Sequence, residues 1–247
     1  MPCLLLRGAA LVKTTKFKDP TYVGDPVNAV NIFNEKEVDE LIVLDITATT
    51  DGRRPQFDLI TEIATECFMP LTYGGGIRSL DDIETLFRCG VEKVALNSVV
   101  ANDPDLVSAA AARYGNQAVV VSIDARKRRR RGYQVYTNAG QRELRVDPAT
   151  YSVEAQRLGA GEILLTSIDR DGTMDGYDLD LIRSVTSSVD LPVVACGGAG
   201  RLDDFRLAVR EGGAAAVAAG SMVVFHGRAR GVLINFPSRP DLERVLG

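Results

Sequence analysis

Short, continuous apolar runs recur along the chain: Cys3 to Leu6, Leu41 to Leu44, Met69 to Tyr73, Val94 to Leu96, Ala118 to Ile123, Ile163 to Ile168, Leu191 to Ala195 and Ala214 to Ala219. They do not alternate with polar residues, as the strands of a sheet with one wet face would. Unbroken runs of this length predict strands covered on both faces, the pattern of a parallel sheet. The polar stretches between them carry helix-start chemistry. Asp25-Pro26, Ser79 followed by Asp82, Asp103-Pro104 and Asp147-Pro148 each pair a capping side chain with a proline or an acid in the first turn. Eight strand–helix units in strict alternation predict an α/β protein, a single (β/α)8 TIM barrel over residues 1–247.

The pattern also repeats. Pro70-Leu71-Thr72-Tyr73-Gly74-Gly75-Gly76-Ile77 returns 122 residues later as Pro192-Val193-Val194-Ala195-Cys196-Gly197-Gly198-Ala199, and Glu40 to Leu44 returns at the same offset as Glu162 to Thr166. Val94 to Ser98 returns as Val217 to Ser221, displaced by 123. Three consecutive strands echoing three others predict a barrel built from two similar half-barrels, roughly 1–116 and 117–247.

Composition narrows the partners more than the fold. A chain of 247 residues with 45% hydrophobic content can bury one large core, and a net charge of −4 argues against a general nucleic-acid binder. Cys3, Cys67, Cys89 and Cys196 are scattered without a CxxC pair, so neither a disulfide framework nor a metal site is expected, and nothing calls for a cofactor. No apolar run is long enough to span a bilayer. The expectation is a cytoplasmic protein with no membrane or nucleic-acid partner.

In such a barrel the chemistry lies where strands end. Glycines at those positions let backbone N–H groups close on a phosphate. One cradle would comprise Gly76, Asn97 and Ser98; a second, opposite it, would comprise Gly172, Gly198, Gly220 and Ser221. Glycines serving only tight turns are the alternative. At the other end, Glu40, Lys93 and Glu162 each enter a strand and would converge on the axis, on general grounds as a structural plug with paired charges.

Asp39 to Ala48, the Gly74 to Arg78 turn, Ser122 to Ala125, Gly159 to Thr173 and Gly197 to Gly200 together resemble the cyclase subunit of imidazole glycerol phosphate synthase, from Pro2 to about Phe225. The resemblance implies a duplicated barrel, a small-molecule substrate phosphorylated at both ends, a glutaminase docked on the N-terminal face, and ammonia passing along the barrel axis. It makes Glu40, Lys93 and Glu162 three members of a charged ammonia gate whose fourth, basic member would fall before Met1. It also implies two catalytic aspartates facing each other across the mouth. Asp124 matches one; Leu5 occupies the place of the other, and leucine cannot transfer a proton. The segments Phe17 to Pro26 and Leu233 to Ser238 look instead like a paralogous branch found with amidotransferases of surface-polysaccharide biosynthesis, where the ammonia would serve a separate sugar-amidating synthetase.

Individual residues keep two readings each. Asp124 is a retained catalytic carboxylate, or a strand-end group pairing with a base such as Lys13. Asp171 is a second acid, or a cap organising the phosphate loop. Lys13 points its ammonium to the mouth, or is solvated. Asp45 reads as a loop organiser, and His226, far from any partner in sequence, as a surface residue. Arg126 to Arg131 leads into Gly132 and Tyr133, which predicts the tip of a hairpin after the fifth strand. Its charges are a solvated loop, or a lid attracting an anionic ligand or an acidic partner.

Overall fold

The structure is a computed structural model that describes residues 1–227 and 229–247. It opens with an antiparallel unit, β1 (Cys3–Arg7), β2 (Ala10–Thr15) and β3 (Lys18–Gly24). Strand and helix then alternate: α1 (Pro26–Glu35), β4 (Leu41–Asp45), α2 (Phe57–Glu66), β5 (Leu71–Gly74), α3 (Leu80–Arg88), β6 (Lys93–Leu96) and α4 (Asp105–Tyr114). The second half begins with β7 (Val119–Arg128), which runs into β8 (Gly132–Thr137) and β9 (Arg142–Glu143). It continues as α5 (Pro148–Arg157), β10 (Glu162–Ser167), α6 (Leu179–Thr186), β11 (Val193–Cys196), α7 (Leu202–Arg210) and β12 (Ala216–Ala218). Last come α8 (Ser221–Val224), a small hairpin of β13 (Phe225–His226) and β14 (Gly231–Val232), and α9 (Arg239–Leu246).

The eight expected runs are the parallel strands β1, β4, β5, β6, β7, β10, β11 and β12, hydrogen-bonded side by side in that order. The ring closes where Cys3 N–H donates to the Ala219 carbonyl at 2.9 Å and Ala219 N–H to the Met1 carbonyl at 3.0 Å. This is the (β/α)8 barrel. Continuous hydrophobicity follows from it, because alternate residues of each strand are buried in different places. Leu4, Leu41, Val43, Val121 and Leu165 face the helices in the larger core, whereas Leu5, Ile42, Ala95, Val120 and Leu164 fill the barrel interior. Each such branched side chain contributes about 1.5–3 kcal/mol by leaving water.

The duplication is visible in hydrogen bonds as well as in sequence. The Pro70 carbonyl accepts from Leu41 N–H as the Pro192 carbonyl accepts from Ile163 N–H. Buried Asp82 and Asp204, 122 positions apart, both turn their carboxylates back on the backbone N–H groups opening α3 and α7. Gly75, Gly76, Gly197 and Gly198 all have positive φ, so the turn after β5 and the turn after β11 are built alike.

Two expectations need correction. The Asp103 side chain does not cap α4; Pro104 is itself the first half-helical residue, and the Asp103 backbone carbonyl takes the Leu106 N–H. Met69, Leu191 and Ala214 precede their strands, because the chain is apolar before it becomes extended. The antiparallel additions β2, β3 and β9 were not foreseen, nor was α9.

Candidate functional site

One cavity of about 440 Å3 opens at the C-terminal ends of the barrel strands, a size that suits a small ligand. Its lining includes Lys13, Gly76, Asn97, Ser98, Asp124, Asp171, Gly172, Gly198, Gly220 and Ser221, so the ten expected mouth residues converge on it, and Leu5 is on its wall.

The two proposed cradles differ in chemistry. On the first-half side, Ser98 Oγ donates to Asn97 Oδ1 at 3.1 Å and accepts from Asn138 N–H at 2.9 Å, while Gly76 N–H donates to Thr49 Oγ1 at 3.2 Å. On the second-half side, Ser221 is part of the cavity lining, and its buried Oγ has no hydrogen-bond partner among the described residues. Gly172 and Gly198 have positive φ and lie so close to the Thr14 and Gly176 carbonyls that a Cβ would collide with backbone. Gly220 is constrained by a side chain instead: a Cβ there would occupy the space of Lys13 Nζ.

Lys13 is not the partner of Asp124. It is 4% exposed, which overturns the solvated reading, and its Nζ donates to the Cys3 carbonyl at 3.5 Å. Among the described residues it makes no ion pair, so its charge is turned toward the cavity it lines. Asp124 Oδ2 accepts instead from Asn97 Nδ2 at 3.2 Å. Burial, followed by the charge of Asp171 in the same cavity, pushes the Asp124 carboxyl up to about 7, with the Asn97 hydrogen bond pulling the other way. A carboxyl so placed can both give and take a proton near neutrality.

Asp171 is held by Thr14, whose Oγ1 donates to Asp171 Oδ2 at 2.9 Å, and Lys16 N–H donates to the Asp171 carbonyl at 2.8 Å. The β2–β3 hairpin therefore lies over the Asp171-Gly172 loop and forms one side of the mouth. Thr14, Thr49 and Asn138 escaped the sequence reading; Thr14 ends a run buried continuously from Leu11, so no alternation marks it. Beside the hairpin, on β1, Leu5 pairs in register with Val12 and Leu44, making an apolar wall where the resemblance puts a carboxylate.

Asp45 organises its loop as expected. Its Oδ1 accepts from Thr47 and Ala48 N–H at 3.0 and 2.9 Å. The basic run forms the expected hairpin tip, but four of its six charges are engaged: Arg126 lies near Asp169 and over the Tyr136 ring, Lys127 lies over the Tyr133 ring, and Arg128 and Arg131 reach Glu143 at 3.1 and 3.5 Å. His226 is exposed.

Glu40, Lys93 and Glu162 meet at the other end of the barrel. Lys93 Nζ contacts Glu40 Oε1 and Oε2 at 3.0 and 2.9 Å and Glu162 Oε2 at 3.1 Å. Burial acts against charge on Lys93, but Glu40 and Glu162 outweigh it and hold the ammonium above its usual range. Burial pushes Glu162 up despite Lys93.

A family model described as a histidine biosynthesis protein matches residues 1–229. The chain belongs to that family. A Pseudomonas aeruginosa protein named "Putative imidazole glycerol phosphate synthase subunit hisF2" is 49% identical over 243 residues, 98% of this chain and 97% of that protein. A Vibrio vulnificus protein of the same naming, subunit hisF3, is 45% identical over 247 residues, 100% of this chain and 95% of its own. The Hyphomonas neptunium "Imidazole glycerol phosphate synthase subunit HisF" is 46% identical over 226 residues, 92% and 88% of the two chains. Among the described residues, no helix is long and apolar enough to cross a membrane.

Proposed function

We propose that this chain is the barrel subunit of a glutamine amidotransferase complex. It takes ammonia from a glutaminase docked on the N-terminal face, passes it by the Glu40, Lys93 and Glu162 cluster, and binds a phosphorylated ligand at the mouth. The ammonia serves the amidation of a surface-polysaccharide sugar by a separate synthetase rather than ring closure. The observation that carries this reading is Leu5. It lies on the cavity wall among Val12 and Leu44, where the cyclase chemistry would require a group able to transfer a proton.

In this reading Gly172, Gly198, Gly220, Ser221 and Lys13 hold one phosphate, and Gly76, Asn97 and Ser98 the other. Hydrogen-bond donors and one buried cation suit an anion there. Asp124, raised to about 7, serves as a proton donor or acceptor toward the ligand.

A second reading, a working cyclase of histidine biosynthesis, is favoured by Asp171. It supplies another carboxylate in the same cavity as Asp124, held by Thr14 and able to take over the lost partner's role. The bis-phosphorylated ribulosyl formimino intermediate, offered with an ammonium salt to the purified protein, separates the two. Turnover at ordinary cyclase rates would overturn the first reading. Slow or absent turnover that rises in Leu5→Asp supports it. A barrel that only scaffolds its glutaminase would leave glutaminase turnover indifferent to the phosphorylated ligand.

A further inference from the structure

At the end of the barrel away from the cavity, the link between α2 and β5 presents Phe68 to solvent at 84% exposure. The other exposed large apolar residues described, Tyr22, Val153, Val232 and Leu233, range from 48% to 66%. Phe68 is on the same barrel face as the charged cluster, since two residues after it the Pro70 carbonyl accepts from the N–H of Leu41, the residue following Glu40. The ring is held out by a clamp from α1. Asn34 Nδ2 donates to the Glu66 carbonyl at 2.6 Å, and Asn34 Oδ1 accepts from Phe68 N–H at 3.1 Å. The link is thus fixed on both sides of Cys67, and the aromatic side chain projects from an ordered backbone. Binding through it would require little extra ordering of the chain.

The surroundings are acidic. Glu35 and Glu37 flank the clamp on α1, Glu66 precedes the link, and all three are exposed; Glu92 is close enough to act on the Cys67 thiol. Lys36 is the one cation in this stretch. A large aromatic ring held in solvent by a fixed backbone, in a stretch where exposed carboxylates outnumber cations, matches an apolar pocket with a basic rim.

We infer that Phe68 is the anchor of a protein interface on the N-terminal barrel face, and that the partner inserting it is the glutaminase chain, through an apolar pocket lined at its edge by lysine or arginine. The choice of glutaminase rests on the function proposed above; the anchor rests on Phe68 and its clamp.

Calorimetric titration of the full barrel with the purified glutaminase chain from the same genome tests this. Phe68→Ala should weaken binding about 30-fold or more, as truncation of an aromatic anchor does. Phe68→Trp should restore most of the affinity, Asn34→Ala should give an intermediate loss, and Val153→Ser on α5 should bind as the wild type does. Binding should weaken as salt rises, because charge complementarity is screened. Since the ring is exposed, Phe68→Ala should melt with the wild type, which separates lost binding from lost folding. Wild-type binding that Phe68→Ala leaves within twofold would overturn the anchor alone. A wild type that binds no glutaminase would overturn the partner assignment and the proposed function together.

Discussion

Replacing Asp124 with asparagine tests whether this carboxyl is kept from ionising by its surroundings. Burial removes it from water, the Asp171 charge opposes a second negative charge in the same cavity, and the Asn97 hydrogen bond offsets only part of this, leaving it at about 7 against an ordinary 3.8. That displacement corresponds to about 4 kcal/mol. A carboxyl whose folded pKa exceeds its unfolded one binds more protons in the native state between the two values. Wild-type stability therefore falls as pH climbs from about 4 to about 7, and the loss is complete above that. Asparagine keeps the shape and can still offer an oxygen to Asn97. At pH 8 Asp124→Asn should therefore be more stable than the wild type by about 2–4 kcal/mol, the lower figure allowing for water in the cavity, and at pH 4 the two should coincide. Urea denaturation followed by circular dichroism across that range measures the difference. An offset independent of pH, or a variant less stable at pH 8, would refute the reasoning.

Gly220→Ala should displace the Lys13 ammonium, because the new methyl would take its place and the end of a lysine can move; ligand-phosphate affinity should fall about tenfold or more for a lost charge-assisted contact, with the melting temperature nearly unchanged. Lys93→Met should cost about 2 kcal/mol at pH 7, since it leaves Glu40 and Glu162 facing each other partly buried without their cation. That deficit should shrink as the carboxylates protonate at low pH, which denaturation at pH 7 and pH 4 would show.

The barrel was legible because its determinants are repeated and local. Buried parallel strands need continuous apolar runs, and the glycine turns after β5 and β11 need a backbone that only glycine adopts freely, so both leave marks in the sequence. The mouth residues were legible because their positions follow from where strands stop. The partnerships among them were not, since they depend on side chains brought together across the ring. Pairing with Lys13 is one of the two readings of Asp124 from sequence, but β2 turns that lysine under Gly220, and Thr14 on the same strand holds Asp171. The β2–β3 hairpin itself was hidden because its outer strand, Lys18 to Gly24, is mostly exposed and carries little apolar signal.

The duplication separates what the fold requires from what the chemistry requires. Asp82 and Asp204 recur because each satisfies backbone N–H groups at the start of a helix, and the paired glycines recur because a Cβ would strike neighbouring atoms in both turns. The strand ends of β1 and β7 are under no such demand, and there the halves differ: Asp124 on one, Leu5 on the other. An aspartate at Leu5 would add a further carboxylate to a cavity already lined by Asp45, Asp103, Asp124 and Asp171, in which Asp124 is raised to about 7, and would replace packing against Val12 and Leu44. Leucine relieves that repulsion and adds buried apolar area, so Leu5→Asp should lose about 2–4 kcal/mol of stability even where it gains proton-transfer chemistry. A barrel that no longer needed to close a ring would be expected to keep its anion contacts and its charged cluster while giving up a mouth carboxylate whose proton transfer it no longer used.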